Sequence, residues 1–329
     1  MKTKIVYSVV SNEKDIYLEQ TLVSIYSLLL HNQGATIILV IDKETDSSIK
    51  GKRKEILKYV SEKVVIDVPN KYSKKQRSRY IKTSLRQYIN GDYLFIDSDT
   101  IITSSLAEID GFTASIAAVK DRHFDINNHR CLNDIRRYAS IINWKMSDHD
   151  RAYFNSGVFY VKDNDETHAF YECWHKYWME GCEKGVDVDQ PSLGKTNSYY
   201  NLIKELDGIW NCQILVNGLP FLYNAKILHY FSTNLKKENS FPFFFSNKRI
   251  FFDIKEKGEL SEQLVNRIKN AKSEFSINSE IVGGEMLNFQ YTNTGIFFRG
   301  LYLNCKPLFN LIEIVNTLLL KIVFLLKRK

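Results

Sequence analysis

Two carboxylates stand two residues apart in Gly91-Asp-Tyr-Leu-Phe-Ile-Asp97-Ser98-Asp99-Thr100, directly after a short apolar run. Side chains at i and i+2 of an extended chain point to the same side, so Asp97 and Asp99 can converge on one cation. If the chain turns at once, the short spacing still lets both reach one site. Hard carboxylate oxygens suit Mg2+ or Mn2+, ions that bridge readily to a diphosphate. The competing structural reading is a pair of solvated acids capping the following turn.

Holding such a pair requires a rigid strand end. Ile5–Val10, Ile37–Ile41, Val64–Val68 and Tyr93–Asp97 are short, β-rich apolar runs. Between them Asp15–Leu30, Glu44–Ser61 and Arg79–Ile89 read as helices, the last stopped by Gly91. This alternation predicts an α/β fold with a mainly parallel sheet covered on both faces, where ligands sit beyond the carboxyl ends of strands. Further strands are expected at Ser115–Val119 and Gly157–Val161, on either side of the polar stretch Asp121–Asp134. Glu166–Glu180 reads as an aromatic-rich helix, and the four-residue spacing of Trp174 and Trp178 marks a core-facing stripe. Phe241–Phe252 (FPFFFSNKRIFF) fits either buried packing or a membrane-facing patch.

Two metal-dependent chemistries compete for Asp97 and Asp99. One is nucleotide-sugar transfer, with the pair holding Mn2+ against a UDP diphosphate. The other is a haloacid-dehalogenase-type phosphatase, with Asp97 as phosphoryl acceptor and Asp99 as acid/base. That phosphatase motif usually carries Gly or Asn after the second Asp and then Thr, whereas here Thr100 comes one position early and Ile101 takes its place. Its motif also follows a first strand, and several strand-like runs precede Asp97.

The remaining blocks are Ile5-Val-Tyr-Ser-Val-Val-Ser-Asn12, Arg79-Tyr-Ile-Lys82, Asp97-Ser98-Asp99, Phe154-Asn155-Ser156-Gly157-Val158, Asp187-Val-Asp189-Gln190 and Ile227-Leu-His229-Tyr230-Phe231. In this order, over residues 4–235, the chain resembles the retaining family 8 glycosyltransferases of the GT-A (Rossmann-like nucleotide-sugar-binding) fold. That group holds bacterial lipopolysaccharide glucosyl- and galactosyltransferases and glycogenin. The resemblance implies that Val10, Ser11 and Asn12 hold the uridine and that Asp97 and Asp99 ligate the metal, with Ser98 between them. It supplies His229 as third ligand, and imidazole favours Mn2+ over Mg2+. Arg79 or Lys82 matches a basic residue on the donor side, and the register leaves both open. Asn155 would contact the transferred sugar or the acceptor. Asp189 and Gln190 fall where the family faces the anomeric carbon, although Pro191 beside them also marks a helix start. The family usually follows its histidine with Gly and then Lys-Pro-Trp. Here the sequence is Tyr230-Phe-Ser-Thr-Asn-Leu-Lys236-Lys237, and Lys236 is the candidate substitute for contacting the diphosphate. The expected reaction moves glucose or galactose from a UDP-sugar to a cell-surface glycan such as lipopolysaccharide or capsule.

Composition fits this reading. The 329 residues carry 44% apolar and 25% charged side chains, which excludes global disorder, and the 5 prolines and 15 glycines exclude collagen-like or linker chains. Five scattered cysteines without a C-x-x-C pair indicate a reducing compartment. The N-terminus enters a strand-like run at once, with no apolar signal region, so a cytoplasmic location is expected. The net charge of +7 is unevenly held: Lys50–Arg86 has 13 basic and 3 acidic residues, and Lys306–Lys329 has 5 and 1. No zinc knuckle, basic zipper or RNA-binding aromatic motif accompanies it, so nucleic acid is not an expected partner. The expected domains are a catalytic domain over 1–235 (donor half about 1–110, acceptor half about 111–235), an aromatic-rich helical extension over 236–305, and a basic amphipathic helix over 306–329. In that last helix Glu313, Thr317 and Lys321 recur with Asn310 and Asn316 as a narrow polar stripe. Together with the terminal Lys-Arg-Lys it predicts a peripheral helix on the anionic inner face of the cytoplasmic membrane, with docking on a protein core as the competing reading.

Overall fold

The computed structural model describes residues 1–147, 152–214, 216–231, 244–275 and 284–326. The first apolar run forms Lys4–Val9 (β1), followed by Tyr17–His31 (α1), Ile37–Asp42 (β2), Lys43–Ser48 (α2), Glu62–Ile66 (β3), Lys74–Ser84 (α3) and Tyr93–Ile96 (β4). Then come Thr100–Ile102 (β5), Ile116–Asp125 (β6), Leu132–Ile141 (α4), Ala152–Val161 (β7), Asp165–Glu183 (α5), Gln190–Tyr200 (α6), Ile203–Glu205 (β8) and Ile227–His229 (β9). Lys248–Lys257 (α7) and Glu262–Lys269 (α8) follow, and Gly284–Gln290 (α9), Asn293–Asn304 (α10) and Lys306–Leu326 (α11) complete the described helices.

Among the described residues the main sheet has seven strands in the order β3-β2-β1-β4-β7-β6-β8. The β3-β2-β1-β4 half is parallel, β7 runs antiparallel to both β4 and β6, and β8 is parallel to β6. Alternate residues of each central strand go to opposite faces, as the pleat requires. Ile5, Tyr7, Val9, Leu39, Ile41, Leu94 and Ile96 face a layer closed by Leu18, Leu22 and Ile25 of α1. Val6, Val40, Tyr93, Phe95 and Phe159 face the opposite layer, closed by Ile81 of α3, Phe170, Tyr171 and Trp174 of α5, and Leu193 of α6. The expected mixed α/β architecture, with a mainly parallel sheet between helices, is the one observed.

Three local differences from the sequence reading have physical causes. Glu44–Ser61 is not one helix. The Asp42 side chain caps α2 by accepting from Thr45 N–H, α2 ends at Ser48, and a separate 3-10 stretch, Gly51–Tyr59, begins at a glycine with φ of 55°. The polar stretch after Asp121 is partly strand: β6 runs to Asp125 through register shifts, with Arg122 and His123 at φ of 55° and 60°. In the Phe-rich segment Phe245 and Phe251 are buried in the α1 layer, whereas Phe252 is 40% exposed.

That packing also moves the expected domain border. Phe251 and Ile254 of α7 and Leu264 and Ile268 of α8 join the same buried layer as α1, so the first compact unit is Met1–Asn278 rather than ending at 235. The second unit, Ser279–Lys329, is built from α9, α10 and α11. Among the described residues no helix is long and apolar enough to cross a membrane.

Candidate active site

Asp97 follows the last residue of β4, and a three-residue connection leads into β5. The turn is fixed on both sides. Asp97 N–H donates to Gly157 O of β7 at 2.7 Å, and Thr100 Oγ1 donates to Asp97 O at 2.9 Å. Strand β5 pairs antiparallel with β9, placing Thr100 opposite His229, while Tyr230 N–H donates to Asp99 O at 2.9 Å. This small second sheet brings a histidine 130 positions along the chain to the carboxylate pair. Oxygen or nitrogen atoms of Asp97, Asp99 and His229 all lie within 4.8 Å of one another. His229 Nε2 is 3.2 Å from Asp99 Oδ1.

Whether the space between these groups suits an ion is tested by Gly157. A Cβ built there would lie 2.4 Å from His229 Cε1, 2.8 Å from Asp97 Oδ2 and 2.9 Å from Asn155 Oδ1. Only glycine keeps this cradle open. Two hard carboxylates and one imidazole, held on rigid strand ends, fit a divalent cation of the Mg2+ or Mn2+ type. In the sequence Gly157 stands out only as part of the block Phe154-Asn155-Ser156-Gly157-Val158. The Asn-Ser-Gly run at an apolar strand was the available signal.

The two basic candidates take different partners. Lys82, buried on α3, places Nζ 2.7 Å from Asp97 Oδ1 and 4.8 Å above the Phe95 ring. Arg79, one turn earlier, pairs through Nε with Asp189 Oδ1 at 2.9 Å. Burial, reinforced by the neighbouring Asp99 charge, raises Asp97 above the usual carboxylate range, although Lys82 pulls the other way. Asp189 is lowered: burial alone would raise it, but Arg79, Lys82 and a 2.6 Å hydrogen bond from Ser156 Oγ outweigh that cost. Trp174, a core residue as expected, also donates Nε1–H to the Asp189 carbonyl at 3.1 Å. Gln190 Nε2 donates to Phe154 O at 3.2 Å, holding the amide by its nitrogen end.

Around the loop after β1, Ser11 N–H donates to Thr45 Oγ1 at 2.9 Å and Ser11 Oγ donates to Asp15 Oδ1 at 2.6 Å. Arg53, in a buried pair with Glu19 at 2.8 Å, reaches Ser11 Oγ with Nη2 at 2.7 Å. Lys255 of α7 caps the carbonyls of Asn12 and Glu13 at 3.4 and 2.7 Å. Sequence reasoning missed Arg53 and Lys255 as braces of this loop. Asn155, buried on β7, donates Nδ2–H to Asp121 Oδ1 at 2.8 Å and accepts from Gly157 N–H at 2.9 Å. Ser98 Oγ accepts from Thr21 Oγ1 at 2.8 Å. Thus Asp97, Asp99, His229, Lys82, Arg79, Asp189 and Asn155 gather around the ends of β4 and β7. Lys236 lies outside the described residues.

A parallel α/β half-sheet with a strand-end acidic pair and a distant histidine defines a glycosyltransferase of the GT-A type. Residues 8–236 match the sequence profile "Glycosyl transferase family 8", and the chain belongs to that family. It is therefore a glycosyltransferase of a retaining family, acting with a nucleotide-sugar donor and a glycan acceptor; the phosphatase alternative is not supported. No curated protein matches the chain significantly. Among solved structures, the galactosyltransferase LgtC in complex with donor and acceptor sugar analogs is similar in fold, with 15% identity and a TM-score of 0.52 over 80% of this chain and 100% of that one. Mouse xyloside xylosyltransferase 1 in its apo form shares 14% identity at a TM-score of 0.48, covering 71% of this chain and 99% of its own. GlyE of Streptococcus pneumoniae TIGR4 shares 18% identity at a TM-score of 0.45, covering 83% and 65%.

Proposed function

We propose that the protein transfers a hexose, glucose or galactose, from a UDP-sugar to a cell-surface glycan such as lipopolysaccharide or capsule, with Mn2+ or Mg2+ held by Asp97, Asp99 and His229. The observation that carries this reading is the ligand trio around a space that any side chain at 157 would close. When bound, the ion would supply Lewis-acid neutralisation of the departing diphosphate.

The chain's own residues divide the remaining work. The braced loop Val10-Ser11-Asn12 holds the uridine. Lys82 is committed to Asp97 and keeps two adjacent carboxylates compatible. Arg79 retains a side-chain exposure of 25%, against 4% for Lys82, and is the donor-side cation of the two. Asp189 is already paired with Arg79 and Ser156, which suits orienting Arg79 better than attacking the sugar. Gln190, fixed by its nitrogen end, offers its carbonyl oxygen to the oxocarbenium-like centre that develops as UDP leaves. With no free carboxylate assigned as nucleophile, attack from the leaving group's own face fits retention, a diphosphate oxygen taking the acceptor's proton. Lys236 remains a candidate for the diphosphate.

The same proposal sets the chain on an anionic membrane surface through 306–329. Support comes from α11, where Leu311, Ile314, Val315, Leu318 and Leu319 form an exposed apolar band at helical spacing. The enzymatic reading is tested by UDP release from UDP-glucose and UDP-galactose with and without Mn2+, in the native chain and in Asp97→Asn/Asp99→Asn. Metal-dependent release lost in the double variant is expected. Metal-independent turnover, or full activity of the variant, overturns it.

A further inference from the structure

Behind His229 a buried chain of hydrogen bonds has its direction fixed from the far end. Cys131 N–H, which can only donate, lies 3.1 Å from His129 Nδ1, so that nitrogen is the acceptor and Nε2 carries the proton. His129 Nε2 lies 3.0 Å from Asp121 Oδ2 and donates to it. The hydrogen bonds from His129 and Asn155 hold Asp121 below the usual carboxylate range against the cost of its burial, so it is an acceptor only.

Each later orientation follows from this one. Asn155 must present Nδ2 to Asp121, at 2.8 Å, which turns its oxygen toward Gly157 N–H, a second obligate donor, at 2.9 Å. That oxygen also accepts from Asn211 Nδ2 at 2.9 Å. Asn211 is 0% exposed, and its amide therefore points its own oxygen at His229 Nδ1, 2.9 Å away. A carbonyl oxygen only accepts, so Nδ1 carries the hydrogen. Flipping Asn155 would set its NH2 against the Gly157 N–H and its oxygen against the Asp121 carboxylate, and flipping Asn211 would set its oxygen against that of Asn155.

We infer that the buried relay Asp121–Asn155–Asn211 is a positioning device that keeps the His229 proton on Nδ1 and leaves Nε2 to be the ligand atom. It assigns Asn211, which no motif marked, to the reaction machinery, and gives Asn155 a role besides any contact with sugar. Metal-ligating histidines generally donate their other ring N–H to such a partner, which fixes tautomer and ring orientation. Asp99 alone would favour the opposite tautomer, since its carboxylate faces Nε2. Its side chain retains some exposure, whereas Asn211 is sealed in and cannot turn away.

What the relay makes of Nε2 rests on the metal reading above, but the tautomer does not, and the test separates them. In metal-free, 15N-histidine-labelled full-length protein, above the pH at which the ring is neutral, nitrogen spectra should show His229 Nδ1 protonated and Nε2 bare. Asn211→Leu should reverse that pattern, and Asn211→Asp, which keeps an acceptor at Nδ1, should restore it. Mn2+ titrated by proton relaxation enhancement should bind Asn211→Leu about 10–100-fold more weakly, with Asn211→Asp closer to native. A protonated Nε2 in the native protein overturns the inference, as does a native-like tautomer in a folded Asn211→Leu. Native protein that binds no Mn2+ yet shows the Nδ1–H tautomer refutes the metal reading and leaves the relay standing. Should Asn211→Leu not fold, the native spectrum and Asn211→Asp decide.

Discussion

Replacing Gly157 by alanine is the sharpest single test of the site, because the added atom has nowhere to go. Gly157 carries no positive φ, so the substitution adds volume without backbone strain. Its Cβ would sit 2.4 Å from His229 Cε1 and 2.8 Å from Asp97 Oδ2, roughly 1 Å inside ordinary van der Waals contact. Neither neighbour yields easily. The His229 ring is buried at 2% exposure and held by Asn211, and Asp97 is tied to Lys82 at 2.7 Å. Relief therefore comes from shifting β7 or the histidine. Overpacking of this kind costs about 1–3 kcal/mol, a fall in Tm of roughly 2–10 °C for a unit of this size. The functional loss should be much larger. Metal distances tolerate about 0.2 Å, and a reacting geometry displaced by ~1 Å loses ~100-fold in rate. The expected outcome is a folded protein with a modestly lower Tm, Mn2+ affinity reduced by at least ~10-fold, and UDP release lower by ~100-fold. Gly111→Ala, where a Cβ meets nothing within 4 Å, is the control and should match the native chain. Native metal affinity and turnover in Gly157→Ala would refute the claim that residues 97, 99, 157 and 229 enclose one site.

Lys82→Met removes the cation paired with Asp97. With Asp97 partly exposed, the loss should be about 2–3 kcal/mol, below that for a fully buried pair, and calorimetry should show added Mg2+ recovering part of it; an unchanged metal-free Tm would contradict the pairing. His229 has its pKa raised, since burial alone would lower it but the charge and hydrogen bond of Asp99 more than reverse that. A raised folded pKa gives stabilisation that is fully present below about pH 6.5 and is lost as pH climbs through the raised value. Thermal melts of metal-free protein should therefore fall over that interval, and saturating Mg2+ should oppose the fall because the ion takes the place of the Nε2 proton; parallel curves with and without metal would contradict this. Asp189 has its pKa depressed, so the penalty of Arg79→Met should be full at neutral pH and shrink as pH falls below about 4 toward the depressed value. Deleting Lys306–Lys329 should release the protein from anionic vesicles in a sedimentation assay while sparing turnover on a soluble acceptor, and retained sedimentation would remove the membrane reading.

What could be read from the sequence divides along a physical line. Strands β1, β2 and β4 were legible because central parallel strands are buried on both faces and therefore appear as unbroken apolar runs. Asp97 and Asp99 were legible for the same reason: a charged pair ending such a run stands out against it. The histidine was reached only through block order, since β9 has three residues and its pairing with β5 is a long-range contact that no local pattern records. Arg79 and Lys82, three positions apart on one helix, could not be told apart by register, yet their partners separate them at once. The roles of Gly157 and Asn211 were not legible for a deeper reason. One contributes by the absence of a side chain and the other by the orientation of a neutral amide, and both are consequences of the assembled site. Asp121, which opens the polar stretch Asp121–Asp134, is spent inward on Asn155 and His129, where composition cannot distinguish a sealed polar network from a solvated one. The residues that position chemistry in this fold are thus the ones least visible in its sequence, and the relay behind His229 is where that difference is largest.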